Sequence, residues 1–292
     1  MFTKKLPAIA GHTSRLGFLG SMFFGASFML FGSFGAAGCA ADSDRSDTDG
    51  TGTTAPLSFE EWSKTVHVDE EGVWIVNGDT PVTTVEELRQ FYDDYVVNDN
   101  SALIVHHPGS TDAKWNNTQK LNITYCVSKS SFGSHYNAVV NAMASATGTW
   151  EAAANVNFVR KSAEDGSCTA SNSNVVFDVR QTTDQSFLAR AFFPNQGRSS
   201  RNVLISTSAF GSIDPYTLAG ILRHELGHTL GFRHEHTRPE AGTCFEDNKW
   251  RALTSYDPKS VMHYPQCNGT QTGDLTLTSK DKQGAASLYG AP

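Results

Sequence analysis

Positive charge is scarce in this chain. Its 292 residues hold 23 Lys and Arg against 30 Asp and Glu, a formal net charge of -7. A nucleic-acid partner needs a basic face to neutralise phosphates, so that class of function is set aside. Internal repeats are absent, which excludes a solenoid and leaves one or two ordinary domains. Cysteine is also sparse. There are five in all, and none lies between Cys39 and Cys126, so no thiolate from that interval can cap a metal. Long apolar runs are missing except near the start. With 39% apolar residues, the composition is that of a globular protein with a mildly acidic surface.

The one apolar run, Leu16 to about Phe34, follows Lys4, Lys5 and Arg15 and precedes the small residues Gly35-Ala-Ala-Gly38. That order is the pattern of an export signal over residues 1–38. Ala36-Ala-Gly38-Cys39 is similar to a bacterial lipobox, with Ala36 where leucine is usual. The expected product is an outer-membrane or cell-surface lipoprotein held through Cys39. Cleavage nearby, for example after Ala41, gives a secreted protein instead. A lipid on Cys39 is the only membrane contact expected. Residues 39–56 offer almost nothing to a core and read as a disordered tether.

The stretch with the most chemistry is His224-Glu-Leu-Gly-His228-Thr-Leu-Gly231-Phe-Arg-His234. On a helix, His224 and His228 fall on one face, one turn apart, and can share a metal. Glu225 then sits beside that metal as a base. Gly231 can take positive φ and turn the chain so that His234 arrives as a third ligand. Three histidines leave one tetrahedral position open, the arrangement of a catalytic rather than a structural Zn²⁺. His106, His107 and His135 read as surface residues. His236 and His263 lie near the motif without ligand spacing.

The five fixed positions of this motif resemble those of the metzincin zinc peptidases. Ser260-Val-Met262-His-Tyr264 resembles their Met-turn, with Met262 beneath the metal. Glu235, Arg238 and the Ser-x-Met-His-Tyr stretch are similar to the astacin-like branch. Pro239-Glu240 and the short interval from His234 to Met262 depart from it. The resemblance implies a zinc endopeptidase acting on proteins or peptides, with Tyr264 stabilising the oxyanion. It also implies that Glu235 is a structural carboxylate near the mature N-terminus. The competing expectation is a surface-anchored adhesion or binding module with the same fold and no turnover, which would have no need of Glu225 or Tyr264.

Residues 57–110 form a separate, propeptide-like block. Phe59–Trp62 suggests a helical turn and Val73–Val76 a strand. Thr84 with Glu87 makes a capping box for a helix to Val96, its stripe being Val85, Leu88, Tyr92 and Tyr95. Gly78-Asp79 is similar to the Gly-Asp of the astacin aspartate switch, with Val76 where an aromatic is usual; Asn77-Gly78-Asp79 is equally a plain turn.

Residues 111–292 read as the catalytic domain, an α+β fold with a mixed sheet, a long helix, the zinc helix and the Met-turn. Strands are expected at 121–127, 156–159, 175–179 and 201–206, with a helix from His135 to about Ala154. An edge strand at 189–193 is ended by Pro194, and the resemblance implies that it pairs with substrate. Asp214 and Pro215 are expected to open the zinc helix, and Ser279 to cap the last one. Cys126, Cys168, Cys244 and Cys267 allow three disulfide pairings, and free thiols are the other reading. Cys126–Cys168 with Cys244–Cys267 is the expected set, the second pair tying the zinc helix to the Met-turn.

Overall fold

A computed structural model describes residues 57–76, 78–93, 104–246 and 249–292. The signal, the tether and Cys39 lie outside the described residues, as do Asn77 and the end of the helix expected to reach Val96.

The N-terminal segment opens with α1 (Phe59–Ser63), capped by a box between Ser58 and Glu61. Strands β1 (His67–Val68), β2 (Trp74–Val76) and β3 (Thr80–Val82) form a small antiparallel sheet in that order. The β2–β3 hairpin pairs Val76 with Thr80, so Asp79 stands at its tip. Gly78 there takes φ 96°, a value that suits glycine. Helix α2 (Val85–Tyr92) carries the expected Thr84–Glu87 capping box. Its buried stripe is Leu88, Phe91 and Tyr92, while Val85 is exposed. The stripe turns toward Phe91 because Trp62 of α1 stacks on that ring at 5.6 Å.

Strand β4 (Val105–His106) corrects the expected limit of this block. It pairs with β10 (Trp250–Arg251), and Val105 belongs to the main core. Residues 104–110 are therefore part of the larger body.

That body is a five-stranded mixed sheet with two long helices. Strands β5 (Ile123–Val127), β6 (Phe158–Arg160), β7 (Phe177–Thr182), β8 (Ala189–Arg190) and β9 (Asn202–Ser206) lie in the order β6-β5-β7-β9-β8. All pairings are parallel except β8 with β9, and β8 is an edge. A one-turn helix, α3 (Lys129–Phe132), leads into α4 (Tyr136–Glu151). The expected face of α4, namely Val139, Met143, Ala146 and Trp150, is buried.

Alternation in the sequence suggests half-buried strands, yet every residue of β5 and β9 is buried. The second face of the sheet has its own cover. Over β5, Cys126 packs with Cys168 and Val175. Over β9, Leu204 packs with Phe187 and with Val73 and Ile75 of the N-terminal segment.

The zinc-motif helix, α5 (Leu218–Thr229), begins three positions beyond the expected Pro215, with Thr217 as N-cap. The Thr217 side chain accepts from Gly220 N–H at 3.0 Å, a bond that Asp214 stands too far upstream to make. The last helix, α6 (Ser279–Tyr289), is capped by Thr278 rather than Ser279, in a box with Asp281. Ala285 and Leu288 are its inward contacts. Both expected disulfides, Cys126–Cys168 and Cys244–Cys267, are present. Among the described residues no helix is long and apolar enough to cross a membrane.

Candidate active site

Helix α5 is held from two sides before it delivers any ligand. Trp150 of α4 donates its ring N–H to the Arg223 carbonyl at 2.8 Å. A Cβ on Gly227 would lie 2.3 Å from the Met262 sulfur, so the Met-turn presses directly on the helix. The helix ends where Gly231 N–H reaches the His228 carbonyl and Phe232 N–H the Gly227 carbonyl, at 2.8 and 2.9 Å. Gly231 has φ 92°, and a Cβ there would fall 2.1 Å from the Ala113 carbonyl oxygen. Both facts demand glycine. Gly231→Ala is expected to destabilise the fold by about 2–4 kcal/mol, combining backbone strain with overpacking. Chemical denaturation measures this directly, and a loss below about 0.5 kcal/mol would contradict the account.

Past that turn, His234 swings back to the helix. The Nε2 atoms of His224 and His234 are 3.3 Å apart, and those of His228 and His234 are 3.2 Å apart. These are the edge lengths of a tetrahedron built on Zn–N bonds of about 2.0 Å. The Nδ1 atom of His224 donates to the Val261 carbonyl at 2.7 Å, and that of His228 to the Phe232 carbonyl at 2.8 Å. A carbonyl only accepts, so both rings carry their proton on Nδ1 and turn bare Nε2 inward. Burial also holds the His228 pKa well below its usual value, with repulsion from His234 adding to it. His228 is thus neutral and ready to bind metal.

His234 is oriented by a residue that the sequence did not single out. Its Nδ1 atom makes a close contact with the Glu246 carboxylate, which also binds Arg233 at 2.9 Å. His236 Nδ1 accepts from Tyr264 N–H at 3.2 Å, so its Nε2 carries the proton toward Glu246, also at 3.2 Å. Burial lowers the His236 pKa to about 4, so the ring acts as a neutral strut between Glu246 and the Met-turn. Glu246 lies in a loop without periodic pattern, two residues beyond Cys244, and a lone acidic residue there gives no signal in a single sequence. Glu246→Gln is expected to weaken zinc binding by about 10- to 100-fold, as the loss of an orienting carboxylate does elsewhere. Competition against a chelating dye measures it, and unchanged affinity would remove Glu246 from the ligand-positioning set.

The fourth corner is filled from the N-terminal segment. Asp79 is completely buried at the tip of the β2–β3 hairpin. Its carboxylate lies 3.4 Å from His224 Nε2, 3.1 Å from His234 Nε2 and 3.9 Å from His228 Nε2. Burial alone would raise its pKa; the charge on His234 and the bond from its ring outweigh that and hold it well below the usual range. Tyr264 O–H donates to the same carboxylate, and the tyrosine ring stacks on His224 with centroids 5.6 Å apart.

Glu225 is buried, and neither of its carboxylate oxygens has a hydrogen-bond partner. Burial, then the negative charge of Asp79, pushes its pKa well above normal. A buried carboxylate left so is costly unless something cationic or protic is meant to face it. Three convergent Nε2 atoms, one carboxylate and an orphaned glutamate therefore fit Zn²⁺ by donor chemistry as well as by spacing.

The sequence model of the matrixin peptidases matches residues 114–241, which contain His224, Glu225, His228 and His234. Over that segment the chain is similar to the matrixin peptidases. Among its curated relatives, zinc metalloproteinase nas-30 of Caenorhabditis elegans is 32% identical over 117 residues, which are 33% of this chain and 15% of that one. Zinc metalloproteinase nas-14 of the same organism is 31% identical over 106 residues, covering 30% and 20%. The chain thus spans a small part of these relatives' length. Among solved structures, high choriolytic enzyme 1, a hatching enzyme zinc-protease of the medaka fish Oryzias latipes, aligns with a TM-score of 0.43 at 20% identity. That alignment covers 62% of this chain and 96% of that one.

Further residues pack beside the three histidines. Met262 is buried, and its carbonyl accepts from Glu235 N–H at 2.8 Å. The Glu235 carboxylate accepts from Asp257 N–H at 2.7 Å and lies 3.2 Å from Arg238. His263 is fixed by Tyr256 O–H at 2.9 Å. His106 and His107 are half-buried, the first stacked on Phe193 at 4.5 Å, the second 2.8 Å from Asp112. His135 is exposed.

Proposed function

We propose that the protein is a zinc endopeptidase stored in a latent form. The observation that carries this is the placement of Asp79 among His224, His228 and His234, facing the unpartnered Glu225. Zinc held by the three histidines supplies a Lewis acid that acidifies water and polarises a carbonyl. The protein side chains do the rest. Glu225 accepts the proton of the attacking water as oxygen bonds to the carbonyl carbon, and passes it to the nitrogen as the C–N bond breaks. Tyr264 donates its O–H to the oxyanion, a contact worth most in the transition state.

In the latent form the Asp79 carboxylate occupies the position that water needs and also engages the Tyr264 hydroxyl. Residues 57–93 are then a propeptide, removed or displaced on activation. The astacin-like resemblance implies that Glu235 then faces the new N-terminus. Edge strand β8 is the element that receives an extended peptide. Two disulfides support an oxidising, extracytoplasmic site of action. Export through residues 1–38 and a lipid on Cys39 belong to the same reading, and the intact mass of the purified mature protein tests the anchor.

The full chain, loaded with zinc, tests the activity. Casein hydrolysis is expected to be weak before limited proteolysis of residues 57–93 and strong after it. No hydrolysis in either form would overturn the peptidase reading.

A further inference from the structure

Arg190 carries its charge into a fully buried position on edge strand β8. Its guanidinium holds Asp69 through two bonds of 2.8 and 2.5 Å and lies 3.3 Å from Glu71. A third bond, 2.6 Å, runs to the Asn202 side chain of β9. Both carboxylates belong to the N-terminal segment, and the partner from the larger body is neutral. Arg180 of β7 contacts Glu71 as well, and Asn202 donates to Glu71 at 2.7 Å. A few residues on, Val73 and Ile75 of the segment cover Phe187 and Leu204.

The segment therefore lies on the sheet as a strip, with carboxylates at 69 and 71, a glycine at 72 and apolar side chains at 73 and 75. The surface beneath is its complement, with Arg190 and Arg180 beside Phe187 and Leu204. This surface adjoins the reaction centre. The Phe193 ring, three residues along from Arg190, meets the edge of His228 at 5.6 Å.

Once residues 57–93 leave, Arg190 loses both of its counter-charges. A guanidinium in that position takes up another carboxylate readily, because its fork binds one bidentately. The incoming extended peptide lies along the same edge strand. We propose that Arg190, assisted by Arg180, is a specificity determinant that selects peptide substrates bearing an acidic residue ahead of apolar ones, and that residues 69–75 occupy this surface as a mimic of such a substrate. The inference rests on the peptidase reading.

The test uses the zinc-loaded full chain after limited proteolysis and pairs of peptides that differ only in Asp and Glu against Asn and Gln ahead of an apolar residue. The ratio of kcat/KM within each pair is independent of how much protein is folded. Wild type is expected to favour the acidic peptide by about 10- to 100-fold, the range for a hydrogen-bonded charge. Arg190→Gln should bring the ratio near one, chiefly through KM, and Arg190→Lys should restore part of it. Should Arg190→Gln fail to fold, Arg180→Gln is expected to lower the ratio by a few-fold. A wild-type ratio near one, or a ratio unchanged in the Gln variants, overturns the inference and leaves the peptidase reading in place. Cleavage of neither peptide overturns both.

Discussion

Glu225→Gln in the processed, zinc-loaded chain is expected to cut kcat for casein by at least about 100-fold, while zinc content and fold are kept. The magnitude is that of a lost general base. Retention of metal follows from geometry, since the three imidazoles are fixed by Val261, Phe232 and Glu246 rather than by Glu225. The stability expectation separates this variant from a damaged one. In the wild type Glu225 is a buried carboxylate with no partner on either oxygen, and such a group opposes folding. Its amide should therefore leave the thermal midpoint unchanged or raise it, the usual exchange between activity and stability at a strained site. Glu225→Gln with wild-type turnover would remove Glu225 from the mechanism. A sharp fall in both stability and zinc content would show that it serves the scaffold instead.

Asp79→Ala in the unprocessed chain is expected to act in the opposite sense. The carboxylate makes a charge-assisted contact with His234 and accepts the Tyr264 hydroxyl. Contacts of that kind contribute about 1.5–3 kcal/mol each, so losing even one net contact raises the open population by about 10- to 100-fold. Casein hydrolysis by the uncut chain should rise by that factor. It should still fall short of the processed enzyme, because Asp69 and Glu71 keep the segment on Arg190. Asp79→Glu is the useful control: the same charge on a longer arm should restore latency only in part. If Asp79→Ala is as inactive as the wild-type chain before processing, the carboxylate is a turn residue and latency lies elsewhere.

The convergence of His224, His228 and His234 was legible in the sequence because their spacing encodes their geometry. Positions four apart share a helix face, and a glycine three residues on allows the return of the third histidine. The faces of α4 and the capping box at Thr84 were legible for the same reason, as local periodicity or a local hydrogen bond writes itself into neighbouring residues. The start of α5 was misplaced by a strong local signal, Asp214-Pro215, that lost to Thr217 because only the latter reaches an unpaired helix N–H. Full burial of β5 and β9 was not legible, since the cover comes from distant chain. Glu246 and the Asp69–Arg190 pair were hidden for a related reason. The two members of that pair stand 121 residues apart, and no short pattern records such a meeting.

Val73 and Ile75 also set a lifetime. Together with Phe187 and Leu204 they make a small apolar cluster outside the main core, and half of it would depart with residues 57–93 under the proposed processing. Such processing would wet an oily patch on the sheet and strip two counter-ions from Arg190 in one event. Exposed apolar surface of this kind invites association and local unfolding. On the proposed reading the uncut chain would be the durable form for storage, and the cut chain would begin to age at the moment it begins to work.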